Sequence, residues 1–204
     1  GLDPATLRHS QRVQRLSLVL GENLGLSSAE LNTLSLGSLL HDVGKKHIPR
    51  AILLKEEPLS VEDWKAIQQH PVSGWEYVKK SVLDERVREI ILHHHLWFDG
   101  QGGYPESSKG VRPSFLTQIA SVADVVDAMT QDRPYRRALT LDACLEFLTE
   151  KTGTQFCPEV VEVVNFCREQ GIALVPRGAG TNVAGGTLPT ACDRIRPANG
   201  RATS

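Results

Sequence analysis

The sequence predicts an all-α protein, because apolar residues recur at helical spacing and almost no alternating strand pattern occurs between residues 1 and 170. Proline, glycine and small polar residues separate the apolar segments. Hydrophobic residues form 40% of the 204 residues, which suits one well-packed globular domain. We expect a helical domain over residues 1–170 and a distinct tail over residues 171–204, where the composition changes.

The patterns predict the individual helices and their boundaries. Helices are expected at residues 4–21, from Ser27 or Ser28 to Asp42, from Ser60 to His70, from Pro71 onward, and at 84–95, 114–130, 140–151 and 158–170. Two prolines predict a loop over residues 46–59. The His70-Pro71 pair predicts that one helix ends at His70 and that the next begins at Pro71.

Charge and composition exclude several function classes. The chain has 23 basic and 24 acidic residues, a balance that argues against binding a nucleic-acid polymer. No apolar run approaches the length of a membrane span. The four cysteines lack C-x-x-C spacing, so we expect reduced thiols and a cytoplasmic protein. The chain begins with Gly1 rather than Met, so we expect that Gly1 is a cut or a tag remnant and that an upstream domain is missing. A sensory role for that domain and protein partners in signalling are further expectations.

One short stretch, His41-Asp42-Val43-Gly44-Lys45, combines an imidazole, a carboxylate and an amine near the predicted end of a buried helix. A buried carboxylate is costly without a partner, so Asp42 requires a cation or several hydrogen-bond donors. A metal ion would satisfy it, with His41 as a second ligand. The structural alternative is a core histidine that is hydrogen-bonded to the helix end.

Further polar residues extend this candidate site, and they come from five different helices or helix ends. The candidates are His9, His41, Asp42, His70, His93, His94, His95 and Asp124. Imidazoles combined with carboxylates favour Mn, Fe or Zn over Ca or Mg. So many ligands suit two ions that share Asp42 better than one ion with open positions. Two ions roughly 3.5–4 Å apart suit in-line displacement at phosphorus.

Three neighbouring segments bear on the same site. The three adjacent histidines at 93–95 cannot share one helix face, so at most two are expected to reach one site unless the helix unwinds. The stretch 96–105 predicts a compact glycine-rich loop that holds an aromatic residue. In the stretch 132–136, two arginines suit either a phosphate clamp or pairing with acids at a solvated helix end.

These motifs follow a characteristic order along the chain. They are HS-x-RV at 9–13, HDVGK at 41–45, HP-x-x-G at 70–74, HH at 94–95, DG at 99–100, GYP at 103–105, AD-x-x-DAMT at 123–130 and DRPYR at 132–136. In these motifs the sequence resembles the HD-GYP domain, a branch of the HD phosphohydrolase superfamily. The resemblance covers about residues 3–170.

The resemblance implies a helical HD-domain bundle that hydrolyses cyclic di-GMP to the linear dinucleotide, with GMP as a further product. It implies two divalent ions, iron or manganese, one held by His9, His41, Asp42 and Asp124 and the other by Asp42, His70, His94 and His95. It implies phosphate contacts from Lys45, Arg133 and Arg136 and a pocket shaped by Tyr104. A water that bridges the metals would attack phosphorus as hydroxide, and Lys45 would stabilise the developing charge.

The sequence departs from the family pattern at several positions. Leu96 replaces an acid after the paired histidines, and loop 99–104 is one residue longer than the common form, so we align the pair as His94 and His95, with His93 as the alternative. Ala5 replaces the glutamate of members with three metals, which favours two metals. Cys157 replaces aspartate at an expected helix cap, a change that concerns stability more than chemistry.

Other functions are compatible with parts of the sequence. An HD hydrolase for another cyclic dinucleotide or a nucleoside phosphate is one alternative. A catalytically silent module that binds a nucleotide or a protein is another, although silent members are expected to lose metal ligands and this chain keeps them. In the tail, residues 175–186 resemble the pyrophosphate-binding loop of flavin-linked oxidases. The rest of such a domain is absent, so a truncated fusion fragment or a disordered end is expected there rather than a flavin site.

Overall fold

The computed structural model of the protein describes residues 3–132 and 137–174, and helices dominate both ranges. The helices are α1 (Pro4–Asn23), α2 (Ser28–Leu40), α3 (Arg50–Leu53), α4 (Val61–Ile67), α5 (His70–Val78), α6 (Glu85–His93), α7 (Phe115–Thr130), α8 (Leu141–Glu150) and α9 (Pro158–Glu169). Two 3₁₀ turns occur at Val43–His47 and Glu106–Ser108. Within these ranges only two isolated β-bridges occur and no strand forms. The all-α prediction is confirmed.

Side-chain caps fix where several helices begin. Ser27 accepts a hydrogen bond from the N–H of Glu30, whose carboxylate accepts in return from the Ser27 N–H. Ser60 and Asp63 form the same reciprocal pair at the start of α4. Thr140 caps α8 through the N–H of Ala143. Each cap satisfies backbone N–H groups that the first helical turn leaves without a partner, which is why the predicted starts are confirmed.

Several predicted boundaries are wrong, among them three near the candidate site. The predicted loop over 46–59 contains α3, because Pro49 occupies its N-cap, where a missing N–H has no cost. Helix α2 ends at Leu40 rather than Asp42, and Asp42 instead begins a 3₁₀ turn. The junction expected at His70 lies earlier, since α4 ends at Ile67 and α5 already begins at His70. Pro71 fits the first turn of α5 because its missing N–H would have no helical partner there.

The main apolar core lies between α1, α2, α6, α7, α8 and α9. Fully buried members include Val13, Leu20, Leu34, Ile90, Ile119, Val126, Leu148, Phe156 and Val163. A smaller cluster of Val43, Val78, Val87 and Ile91 lies where the first 3₁₀ turn meets α5 and α6. The two clusters hold α1, α2, α5, α6 and α7 around a group of polar side chains.

Gly44 permits the closest backbone approach in this region. A Cβ atom on Gly44 would lie 1.9 Å from the carbonyl oxygen of His70 and 2.5 Å from the backbone nitrogen of Gly74. Only glycine therefore fits where the 3₁₀ turn packs on α5. This contact sets the distance between Asp42 and His70.

None of the helices within residues 3–132 and 137–174 is both long and apolar enough to cross a membrane. Cys144, Cys157 and Cys167 are buried free thiols, while Cys192 lies outside the described ranges. Cys157 occupies the N-cap of α9, as expected, but its thiol contacts the Glu159 carboxylate. Of the tail, residues 171–174 follow α9 without strand structure, and residues 175–204 lie outside the described part.

Candidate metal centre

Five helices deliver the candidate ligands to one buried place. His9 lies in the second turn of α1, and His41 is the C-cap of α2 with Asp42 directly after it. His70 begins α5, His94 and His95 follow the end of α6, and Asp124 lies within α7. His41, Asp42, His70 and His94 are each only 1% exposed. Such burial is unusual for polar side chains and requires that they satisfy one another or a bound group.

Hydrogen bonds to backbone carbonyls fix the protonation of three imidazoles. The Nδ1 atoms of His41, His70 and His94 lie 2.7, 2.8 and 3.1 Å from the carbonyl oxygens of residues 38, 67 and 91. A carbonyl oxygen only accepts hydrogen bonds, so each Nδ1 carries the proton. Burial lowers the pKa of His70 to about 4 and holds that of His94 well below its ordinary value. In the neutral rings of His70 and His94, Nε2 therefore presents a lone pair.

These lone pairs converge. The Nε2 atoms of His70 and His94 lie 3.1 Å apart, and His70 Nε2 lies 3.2 Å from Asp42 Oδ1. Among the described residues, His41 Nε2 and Asp42 Oδ1 are buried without a hydrogen-bond partner of acceptable geometry. Several electron-pair donors thus face one small region without protons between them. This donor set fits a transition-metal ion.

The ligand atoms form overlapping groups, of which two lie on either side of Asp42 and a third, made of His41, Asp42 and His94, joins them. We call the group of His9, His41 and Asp124 position 1 and the group of His70, His94 and His95 position 2; the ligand atoms within each group lie within 4.8 Å of one another. Asp42 Oδ2 lies 3.4 Å from His41 Nε2 and 3.6 Å from His9 Nε2, on the side of position 1. Asp42 Oδ1 faces His70 of position 2. One carboxylate therefore presents an oxygen to each group.

The acids of the centre are ionised. Burial acts to raise the pKa of the Asp42 carboxyl, but the Lys45 ammonium and the neighbouring imidazoles hold it well below its ordinary value. Lys45 Nζ lies 2.6 Å from Asp42 Oδ2. Burial acts likewise on Asp124, and its hydrogen bond with His9 outweighs it, so that this pKa is also lowered. The buried Asp42 and the half-buried Asp124 thus supply negative charge to the centre.

The end of α6 decides which of the three adjacent histidines reach the centre. The helix ends at His93, so His94 and His95 lie in the following turn. Their ring centroids are 4.0 Å apart, and both face His70. His93 instead places its Nε2 3.1 Å from Ser108 Oγ, away from the two positions.

The glycine-rich loop folds back over His95. The Tyr104 ring lies 4.4 Å from the His95 ring at 30°. Gly103 has φ of +86°, and a Cβ there would lie 2.0 Å from the His95 carbonyl oxygen. The Trp97 N–H donates to the Gly102 carbonyl across the same loop. These contacts place the aromatic residue expected in this loop at the edge of position 2.

Comparison with known proteins agrees with this arrangement. Residues 2–160 match the family model of the HD domain, which is more than half of the chain. This chain belongs to the HD domain family. It is 34% identical over 166 residues to the cyclic di-GMP phosphodiesterase response regulator RpfG of Xanthomonas campestris, covering 79% of this chain and 43% of that protein.

A second relative and a solved structure support the same assignment. The chain is 33% identical over 156 residues to 3'3'-cGAMP-specific phosphodiesterase 3 of Vibrio cholerae, covering 76% of this chain and 34% of the relative. It therefore spans less than half the length of these relatives. The fold matches Bd1817, an HDG"Y"P protein of Bdellovibrio bacteriovorus, with a TM-score of 0.65 and 24% identity over 80% of this chain and 52% of that one. The resemblance to the HD phosphohydrolases is confirmed by the family match, and the fold agrees with that of this HDG"Y"P protein.

Sequence reasoning assigned no role to two residues that lie behind position 1 of this HD domain. Asp127 Oδ2 lies 2.6 Å from His9 Nδ1, and Arg12 donates to both Asp127 oxygens. The available signal was a second acid in the apolar pattern of α7, one turn after Asp124. Burial acts to lower the pKa of His9, but its hydrogen bonds with Asp124 and Asp127 raise it to about 9.

The predicted phosphate contacts are described only in part. Lys45 lies beside Asp42, with 20% of its side chain exposed. Arg133 and Arg136 lie outside the described residues. The alternative of a phosphate clamp or of Arg–Asp pairing at residues 132–136 therefore stays open.

Proposed function

We propose that this HD domain is a dinuclear metal-dependent phosphodiesterase that hydrolyses cyclic di-GMP to the linear dinucleotide and further to GMP. The observation that carries the proposal is the convergence of imidazole Nε2 atoms on both sides of the ionised Asp42. A shared carboxylate between two sets of nitrogen ligands suits a two-metal site for phosphoryl chemistry. The relatives named as cyclic dinucleotide phosphodiesterases support the substrate class.

The proposed ligands divide between the two positions. His9, His41, Asp42 and Asp124 would hold one ion, and Asp42, His70, His94 and His95 would hold the other. Mixed imidazole and carboxylate ligands support iron or manganese. Such ions supply a water of lowered pKa and offset the charge on phosphoryl oxygens.

The side chains around the centre have separate proposed tasks. Hydrogen bonds from Nδ1 to backbone carbonyls orient His41, His70 and His94 with Nε2 toward the centre, and we propose that they act as metal ligands. Once Asp42 is engaged as a ligand, Lys45 is free to contact a phosphoryl oxygen and stabilise negative charge there. Tyr104, whose ring lies against His95, would shape the pocket at position 2, and we propose that Arg133 and Arg136 bind the phosphates of the dinucleotide.

A second candidate substrate is 3'3'-cGAMP, because relatives with similar identity are named as phosphodiesterases specific for it. Both molecules have a ring closed by two phosphodiesters, so the same centre could act on either. A silent binding module is a weaker candidate, since it has no need for two complete ligand groups around a shared carboxylate.

The proposal also concerns the cellular setting. Three buried free thiols support a reducing compartment, and we propose that the domain works in the cytoplasm. The Xanthomonas relative is named a response regulator. By analogy we propose that a sensory domain or a signalling protein controls this HD domain.

The deciding experiment measures the turnover of cyclic di-GMP and of 3'3'-cGAMP by protein loaded with Mn²⁺ or, without oxygen, with Fe²⁺. Chromatography separates the cyclic, linear and mononucleotide products. Asp42→Asn removes the shared carboxylate, and Asp142→Asn is the matched control because Asp142 is an exposed acid on α8. Metal-dependent cleavage that only Asp42→Asn abolishes is the expected result. No cleavage of either nucleotide by protein that holds two ions would contradict the proposal.

A further inference from the structure

The metal-facing histidines of this HD domain differ in what supports them from behind. His41, His70 and His94 each donate from Nδ1 to a backbone carbonyl. Within the described residues, His9 is the one member of the two positions whose Nδ1 faces a carboxylate, with 2.6 Å to Asp127 Oδ2. That carboxylate is 3% exposed.

Arg12 holds this carboxylate in place. Its Nε lies 2.6 Å from Asp127 Oδ1, and its Nη2 lies 2.9 Å from Asp127 Oδ2. Arg12 follows His9 by three residues on α1, so both face α7 together. The planar guanidinium matches the two carboxylate oxygens and fixes their plane.

Both oxygens of Asp127 are engaged by the side chains of Arg12 and His9. Oδ1 accepts from Arg12, and Oδ2 accepts from both Arg12 and His9. The carboxylate oxygen that contacts His9 Nε2, at 3.0 Å, comes from Asp124 instead. Asp127 can therefore influence the centre only through the ring of His9.

We propose that Asp127, held by Arg12, is a positioning residue that fixes the His9 ring with its Nε2 directed at the metal ion of position 1. The inference rests on the proposed function because it assumes that position 1 binds a metal. A carboxylate behind a ligating imidazole sets its protonation and orientation and makes it a stronger ligand. The effect is confined to position 1, because backbone carbonyls do this work for His70 and His94.

Asp127→Asn is the sharpest variant because it keeps the shape of the side chain and removes its charge. An amide has one acceptor oxygen, whereas Asp127 accepts from Arg12 and His9 on both oxygens. If the amide NH₂ group faces His9, it donates to Nδ1 and moves the imidazole proton to Nε2, the metal-binding nitrogen. If it faces Arg12, two donors oppose each other.

Asp142→Asn is the matched control. Asp142 also accepts from the Nε and Nη2 atoms of an arginine, Arg168, but this pair lies on the exposed faces of α8 and α9. Both variants therefore make the same chemical change in an Arg–Asp pair. Only one of the two pairs contacts a candidate metal ligand.

The experiment titrates Mn²⁺ into the whole chain by calorimetry and counts the bound ions by elemental analysis after chelator competition. We expect two ions in the wild type and in Asp142→Asn, and about 10- to 100-fold weaker binding of one ion alone in Asp127→Asn. With Zn²⁺ as a diamagnetic probe, the hydrogen-bonded Nδ1 proton of His9 gives a downfield resonance, which we expect Asp127→Asn to lose.

A second variant, Arg12→Gln, tests the same inference if Asp127→Asn does not fold. Arg12→Gln leaves the His9–Asp127 contact and removes the guanidinium that holds Asp127. We therefore expect a smaller loss of affinity for the same ion and a shifted Nδ1 resonance.

Unchanged binding of both ions in Asp127→Asn, or equal weakening of both, would overturn the inference. A wild type that binds two ions but cleaves no cyclic dinucleotide contradicts the proposed function and leaves the inference standing. Fewer than two ions in the wild type contradicts both.

Discussion

The Nε2 atoms of His70 and His94 lie 3.1 Å apart with no proton between them. The single N–H of each ring is at Nδ1 and donates a hydrogen bond to a backbone carbonyl. Burial keeps both rings neutral because it lowers their pKa values. Two lone pairs at this distance repel unless a cation lies close to both. The fold thus holds an arrangement that a metal ion stabilises and that protein contacts alone do not.

This arrangement predicts the effect of replacing His70. His70→Asn removes one nitrogen ligand of position 2 and leaves the ligands of position 1 intact, so we expect the bound Mn²⁺ to fall from two ions to one per chain. Elemental analysis of the dialysed protein measures this. His47→Asn is the matched control because His47 is exposed and its ring meets the Tyr77 ring edge to face, outside the centre. Retention of both ions in His70→Asn would argue against position 2.

Gly44→Ala tests whether the close packing of the 3₁₀ turn on α5 sets the centre. The added Cβ would lie 1.9 Å from the His70 carbonyl oxygen, which is backbone and cannot rotate away. We expect a loss of about 1–3 kcal/mol in the free energy of unfolding, as is typical of overpacking. We also expect weaker metal binding, because Asp42 and His70 must move apart.

Gly153→Ala provides the comparison for this variant. Gly153 has φ of +81°, but no other group lies within 4 Å of a Cβ built there. Because of backbone strain at this φ, urea unfolding of Gly153→Ala should show a loss of about 1 kcal/mol in the free energy of unfolding. The metal content should not change. If Gly44→Ala behaved in the same way, the close approach would have no role in placing the ligands.

Tyr104 supports the ring of His95, which has no hydrogen bond to protein within the described part of the chain. An aromatic contact of this kind contributes about 0.5–1.5 kcal/mol, so Tyr104→Ala should weaken the ion of position 2 by about 2- to 10-fold. Tyr104→Phe keeps the ring and should retain metal affinity. Mn²⁺ titration of the two variants separates the role of the ring from that of the hydroxyl, and equal affinities would show that stacking contributes nothing.

Much of the centre could be predicted because ionisable residues occur within, or directly after, apolar helical patterns in the sequence. His41 and Asp42 follow an apolar helix, and Asp124 interrupts another, so each required a partner. The caps at Ser27 and Ser60 were predictable because their partners lie three residues away. Local patterns of this kind need no knowledge of the tertiary structure.

Other features depend on contacts between distant parts of the chain. Asp127 meets His9 and Arg12 across 118 and 115 residues, and the sequence did not indicate this pairing. Which two of the adjacent histidines reach the centre depends on where α6 ends, and the predicted end lay two residues later than His93. Helix α3 was missed because Pro49 suggested a loop but occupies an N-cap.

The metal-free protein should lose stability on both sides of about pH 6.5, for opposite reasons. Burial lowers the pKa of His70 to about 4 and that of His95 to about 3, from an ordinary value of 6.5. The unfolded chain therefore binds protons more readily than the folded protein. As a result, the free energy of unfolding falls as the pH decreases from 6.5. The pKa of His9 is raised to about 9 because its bonds with Asp124 and Asp127 outweigh burial, so its contribution is complete below pH 6.5 and is lost as the pH rises through 9. Urea unfolding of chelator-treated protein at about pH 4.5, 6.5 and 9 measures both limbs, and Asp127→Asn should flatten only the alkaline one. Equal stability at all three values would contradict the protonation states assigned to these histidines.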